Sequence, residues 1–268
     1  MRPAHCVFCG RHGDLSREHF WSEWEHPLLP EGPITKSHVE RLQVFEKAHK
    51  LIDTPRQVRR QGGTRTKTMR IVCRACNGDW MSAMENATKP LLTILLLGHK
   101  TALNNDARLL LAQWITLKTM IADANVPDDT VLNNGDRHAF RVNRTMPDNV
   151  SIWIGLTKGE YWATRFQRHA ATLGTRPDIA PAMHGKNTQV IMWGVNKLVI
   201  LAIIDRGDIG LAVNPRHYPR LFTLWPDAKA DIEWPPEVMS DVEATRLASG
   251  FEDFLRSQKV RWVPSPTV

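Results

Sequence analysis

The sequence predicts an α+β protein, with a small N-terminal module, then helices, then an antiparallel β-rich domain closed by a C-terminal helix. Three observations carry this. All four cysteines of the 268-residue chain fall in two C-x-x-C pairs, "CVFCG" at 6–10 and "CRACN" at 73–77. Apolar residues recur at helical spacing between about 77 and 121. Beyond 150 the pattern changes to strand-like runs, "VSIWIGL", "TQVIMWGV" and "KLVILAII".

Taken in order, each cysteine pair has the spacing at which two thiolates reach one tetrahedral ion. Gly10 follows the first pair and allows the tight turn of a knuckle. With no other cysteine in the chain, Cys6, Cys9, Cys73 and Cys76 are expected to hold one structural Zn2+, a closed site with no position for water. Between the pairs, "TPRQVRRQGGTRTKTMRIV" at 54–72 carries Arg56, Arg59, Arg60, Arg65, Lys67 and Arg70 and no acid. Gly62-Gly63 could turn a hairpin there, with "TMRIV" as the strand that delivers Cys73. The stretch reads either as a phosphate-contacting hairpin or as a solvated loop. Trp21 and Trp24 read as packing against the zinc core more than as platforms for bases.

A helix is expected from near Asn77, with Trp80, Met81, Met84 and Ala87 on one face, until Pro90 bends or ends it. A second follows Asn105, with Ala107, Leu110, Leu111, Trp114, Leu117 and Ile121 at helical spacing. Residues 126–149 are polar and turn-rich, a candidate boundary. Asn196-Lys197 would turn a hairpin between the last two strands. Ser240 and Glu243 are spaced as a capping box for the closing helix. This organisation gives a module over 1–90 with an insertion at about 25–60, a helical segment over 91–125, and a β-rich domain of no legible chemistry over 126–268.

Composition bounds the function classes. Hydrophobic residues at 42% and charged residues at 24% are those of an ordinary globular protein. The longest apolar run, at 91–98, is too short to span a bilayer, and no apolar signal region precedes Cys6. A cytoplasmic protein without a membrane partner is expected, and in that setting paired cysteines favour metal over disulfides. A formal charge of +7 and a pI near 9.4 favour an acidic partner, most commonly nucleic acid.

Two C-x-x-C pairs around Glu18-His19, with Asn77 directly after the last cysteine, resemble the zinc-containing HNH, or ββα-metal, nucleases, and in layout the endonuclease VII type. "LSREHFWSEW" and "VCRACNGDWMSAMEN" also look like a group of bacterial and phage HNH-type proteins with a longer C-terminal region. The resemblance covers about residues 5–86. It implies a zinc-stabilised ββα-metal module, His19 as general base, and Glu18 and Asn77 as ligands of a catalytic Mg2+ or Mn2+. The implied function is a metal-dependent endonuclease hydrolysing phosphodiester bonds in DNA. The residue types suit that chemistry. A neutral imidazole can take a proton from water near neutral pH, and a carboxylate with an amide oxygen forms a hard donor set. Here Glu stands where Asp is commoner, and Met81 stands four residues after Asn77 where a helix histidine would be looked for. Asp79 and Glu85 follow on that helix and are assigned no role. Three alternatives stay open: a nucleic-acid-binding protein that has lost catalysis, an RNA endonuclease, and a zinc-stapled scaffold. Proteins of the endonuclease VII type act as intertwined dimers, so the resemblance also allows a homodimer.

Overall fold

The computed structural model describes residues 5–30, 37–46, 50–61, 67–127, 130–171, 186–226 and 231–257; over 37–46, 50–61 and 255–257 only the backbone is described. The fold is α+β, with helices and antiparallel sheets. Two cysteine turns open it. Gly10, at φ +72°, lets its N–H reach the Cys6 carbonyl at 2.9 Å, and Leu15 bridges to Cys73. Strand β1 (Glu18–His19) pairs antiparallel with β4 (Thr68–Met69), Glu18 opposite Met69 and His19 opposite Thr68. A 3₁₀ turn (Glu23–Leu28) and a two-stranded ribbon of β2 (Ser37–Glu46) and β3 (Lys50–Gln61) lie between them in sequence.

The ribbon corrects the expected hairpin. "TMRIV" pairs with β1 and not with the residues before Gly62, and β3 instead has β2 as its partner. The Gly62-Gly63 turn lies outside the described residues.

The first long helix also differs from expectation. It opens as α1 (Arg74–Cys76), before Asn77, with the Cys73 sulfur accepting from the Cys76 N–H at 3.5 Å. A π-helical turn over Asn77–Met81 follows, and then α2 (Ser82–Leu97). Pro90 sits inside α2 without ending it. Leu92, Leu95 and Leu96 beyond it are fully buried, and that packing outweighs one missing N–H. Thr88, and not Ala87, joins Met81 and Met84 inside, at the i, i+3, i+7 spacing of one helix face.

Strand β5 (Thr101–Leu103) pairs with β11 (Ile232–Trp234). Helix α3 (Asn105–Ala124) is capped by the Asn104 side chain, which accepts from Ala107 N at 2.9 Å. From Trp114 to Ala124 every residue of α3 is buried, so the second half of this helix has no solvent face. The turn-rich stretch 126–149 contains an unexpected helix, α4 (Asn134–Asn143). It is tied to α3 through buried Asp123, which accepts from Arg137 at 2.7 Å, Arg168 at 3.0 Å and the N–H groups of Val131 and Leu132.

The large sheet has the order β10-β6-β9-β8-β7, antiparallel throughout: β6 (Val150–Leu156), β7 (Phe166–Ala171), β8 (Thr188–Val195), β9 (Leu198–Asp205) and β10 (Phe222–Trp225). Strands β8 and β9 meet across the two-residue turn Asn196-Lys197 and are buried along their whole length. Their unbroken apolar runs reflect cover on both faces. Ile191, Trp193, Val195, Ile200 and Ala202 join the core that contains α2 and α3. Val190, Met192, Leu201 and Ile203 join a second core with α5 (Asp241–Ser257). Ser240 and Glu243 form the expected cap of α5, with reciprocal bonds at 2.8 and 3.2 Å.

Candidate metal centre and adjoining site

The four cysteines meet. The sulfurs of Cys6, Cys9, Cys73 and Cys76 all lie within 4.8 Å of one another, and none is in a disulfide. Four Zn–S bonds of ~2.3 Å would space their sulfurs by roughly 3.8 Å. Cys9 and Cys73, at 3.6 Å, already match that spacing. Burial pushes the Cys76 thiol up to about 12, and Cys6 adds to the rise. A cation is what would hold such a cluster ionised. Among the described residues this is the only group of three or more His, Cys, Asp or Glu side chains close enough to share a metal ion.

The cluster joins the start of the helix to the strand. Asn77 donates from Nδ2 to Ser16 Oγ at 3.1 Å, and Ser16 Oγ donates to the Val72 carbonyl at 3.0 Å. Two turns further along the helix, Glu85 accepts from Ser22 Oγ. One helix face therefore runs beside the segment Ser16–Ser22, and Glu18-His19 lies within that span. Asn77 is half-buried and its amide oxygen accepts no hydrogen bond among the described residues.

Glu18 and His19 have different surroundings. The His19 side chain is 23% exposed, with Nδ1 3.4 Å from Glu23 Oε1 and its ring 5.7 Å from that of His26. Glu18 is buried, and its Oε1 accepts from Lys118 Nζ at 3.1 Å. Lys118 also donates to the His19 carbonyl at 3.0 Å. It reaches this place from the middle of α3 and is 2% exposed. Burial opposes its charge, but the carboxylates of Glu18, Glu85 and Glu25 overcome that and hold the amine above its ordinary value. Glu25, fully buried, accepts from Ser22 N at 2.7 Å through Oε2 while its Oε1 has no hydrogen-bond partner among the described residues. Burial raises the Glu25 carboxyl to about 8, against the pull of Lys118 and the Ser22 N–H.

The sequence reading did not find Lys118, Glu25 or Ser22. For Lys118 a signal existed: "WITLKTMI" is an apolar helical stretch with one ionisable residue and no acid three or four residues from it. Trp21 packs as expected but against the sheet, donating from Nε1 to the Gly194 carbonyl at 3.0 Å. Trp24 lies half-buried beneath Lys89, whose ammonium is 5.4 Å from its ring.

The basic stretch divides. The ribbon register puts Arg56 and Arg60 on one face and Arg59 on the other. Arg65 lies outside the described residues. Lys67 is half-buried, with its ammonium 5.6 Å from the Phe166 ring. Arg70 is exposed, and so is Arg17, a cation beside Glu18 that the sequence reading passed over.

No protein-family model, no curated protein and no solved structure matches this chain. Among the described residues, no helix is long and apolar enough to cross a membrane.

Proposed function

We propose that the chain is a metal-dependent HNH-type endonuclease that hydrolyses phosphodiester bonds in DNA, with Zn2+ on its four cysteines as a structural ion. The observation that carries this reading is the Asn77–Ser16 hydrogen bond at 3.1 Å. It brings the residue after the last cysteine alongside the strand of Glu18 and His19, around the cluster of four thiols. The antiparallel pair β1–β4 leading into the helix, with the β2–β3 ribbon inserted between the two strands, supports a ββα reading.

In this reading His19 is the general base. Glu23 beside Nδ1 favours the tautomer with its proton there, which leaves Nε2 to accept a proton from water. The water oxygen bonds to phosphorus, the P–O3′ bond breaks, the departing 3′ oxygen takes a proton from solvent, and the products are a 5′-phosphate and a 3′-hydroxyl. Glu18 Oε2 and the Asn77 amide oxygen, neither engaged by a described donor, are the hard donors for Mg2+ or Mn2+. Such an ion supplies stabilisation of charge on the phosphorane and the departing oxygen. Arg17 and Arg70 are exposed cations on or beside the paired strands, suited to flanking phosphates. Free thiols fit a reducing, cytoplasmic setting.

A second reading is a zinc-stapled nucleic-acid-binding protein without catalysis. The ammonium of Lys118 against Glu18 favours it, because that carboxylate already has a cation. Purified chain, incubated with DNA and with RNA in Mg2+ or Mn2+, is expected to cut DNA, and the His19→Ala variant is expected to bind without cutting. Binding without cleavage by the wild type would support the second reading, and cleavage of RNA alone would change the substrate.

A further inference from the structure

Lys118 commits one oxygen of Glu18 and leaves the other. Its Nζ donates to Oε1 at 3.1 Å and to the His19 carbonyl at 3.0 Å, so one ammonium fastens two successive residues of β1. Glu18 Oε2 accepts no hydrogen bond among the described residues. The Glu18 side chain keeps 11% exposure, whereas the orphaned Oε1 of Glu25 is buried. Because Lys118 projects from the buried second half of α3, the contact comes from inside the molecule. A buried ion pair is often no better for stability than an apolar pair of the same volume, so stability alone does not account for this one.

We infer that Lys118 is a specificity-determining residue that makes Glu18 a one-oxygen ligand and so selects a small octahedral dication over Ca2+. This rests on the reading of Glu18 as a metal ligand. Mg2+ and Mn2+ take carboxylates through one oxygen at short distance and keep several waters. Ca2+ takes more oxygens at longer distance and often holds a carboxylate through both. A Glu18 with Oε1 engaged offers only Oε2, which suits the first class. Removing the ammonium frees both oxygens and favours the second. It also raises the affinity for any dication by removing a like charge. The informative quantity is therefore the ratio of Ca2+ to Mn2+ affinity, in which that common effect, and any loss of folded fraction, cancels.

The test uses the full chain loaded with zinc. Free Mn2+ is followed by its electron paramagnetic resonance signal, and bound Mn2+ is displaced with Ca2+, in wild type, Glu18→Ala, Lys118→Met and Lys118→Arg. Wild type is expected to bind Mn2+, to lose it with Glu18→Ala, and to prefer Mn2+ over Ca2+ by more than about tenfold. Lys118→Met should raise the Ca2+-to-Mn2+ ratio about tenfold, and Lys118→Arg, which keeps a charged donor, should stay near wild type. A ratio unchanged in Lys118→Met overturns the inference while leaving Glu18 as a ligand. Should Lys118→Met fail to fold, wild type alone decides: equal affinity for Ca2+ and Mn2+ overturns the inference. Mn2+ binding that is absent, or indifferent to Glu18→Ala, overturns the metal assignment itself and the inference with it.

Discussion

Glu18 and His19 are neighbours on a two-residue strand, yet one is held from within by Lys118 and the other faces Glu23 at the surface. That division predicts different phenotypes. His19→Ala removes a base but leaves the four cysteines and the Glu18–Lys118 contact, so the protein should fold and bind DNA. Cleavage should fall by about 10²–10⁴-fold, the usual value of a positioned base. On the proposed assignment of Asn77 as a ligand of a catalytic ion, Asn77→Ala should instead weaken metal binding, with activity partly restored by added Mn2+. A His19→Ala protein that cuts as fast as wild type at matched metal would remove His19 from the site. Glu25 gives a second test at this scale. Its carboxyl stands at about 8 in the folded chain against an ordinary 4.5, so the folded state keeps a proton that the unfolded state has released. Stability from this group is therefore fully present below about 4.5 and is lost as pH rises through about 8, with a slope of up to ~1.4 kcal/mol per unit. Urea unfolding from about pH 5 to about pH 9 should show wild-type stability declining more steeply than that of Glu25→Gln. Parallel curves would mean that Glu25 is ionised in the folded chain.

Among the elements, legibility followed whether local pattern or distant packing decided the outcome. Strands β8 and β9 and their two-residue turn were readable because eight-residue apolar runs with Asn196-Lys197 between them admit little else. The capped start of α5 was readable for the same local reason. Helix α4 was not, because "NNGDRHAFRVN" carries few apolar residues and depends on Arg137 reaching buried Asp123. Continuation of α2 past Pro90 depends on Leu92, Leu95 and Leu96 finding a core. At the site, spacing brought the four cysteines into view, whereas Lys118 belongs to an element about a hundred residues away from Glu18. The ribbon of β2 and β3 is the element whose role can be tested directly. Arg56 and Arg60 share one of its faces and Arg59 stands on the other. If the ribbon meets phosphates through one face, Arg56→Ala with Arg60→Ala should flatten the salt dependence of DNA binding by about one unit of slope per lost contact, and Arg59→Ala should not. Equal slopes in all variants would make the ribbon a solvated arm.

At the scale of the whole molecule, the cysteine module and the sheet share one core. Cys6, Phe8, Trp21 and Met81 belong to the same buried cluster as Trp114, Ile152 and Ile200. Phe20 stacks edge-on against Phe166 and Trp193, with ring centres 4.8 and 5.7 Å away. Trp21 donates to the carbonyl of Gly194, a residue so tightly crossed that an added Cβ would sit 1.6 Å from the Trp162 carbonyl oxygen. The module therefore rests on the most buried strands of the sheet. A structural Zn2+ on the four cysteines, as proposed, would be bound far more tightly by the folded state than by the unfolded chain, so its binding free energy would add to folding. Because the core is continuous, that contribution should reach the C-terminal strands as well as the cysteine turns. Purified protein should carry about one Zn2+ per chain. Stripping it with a chelator, or replacing Cys73 with Ser, should lower the melting temperature of the whole chain in a single transition. Far-ultraviolet circular dichroism, which reads the sheet and helices, should fall together with the near-ultraviolet tryptophan signal that reads Trp21 and Trp193. A melt that splits in two, with the upper transition unmoved by zinc, would show instead that the sheet and α5 stand without the module, and that Trp21 on Gly194 is a contact between separable parts.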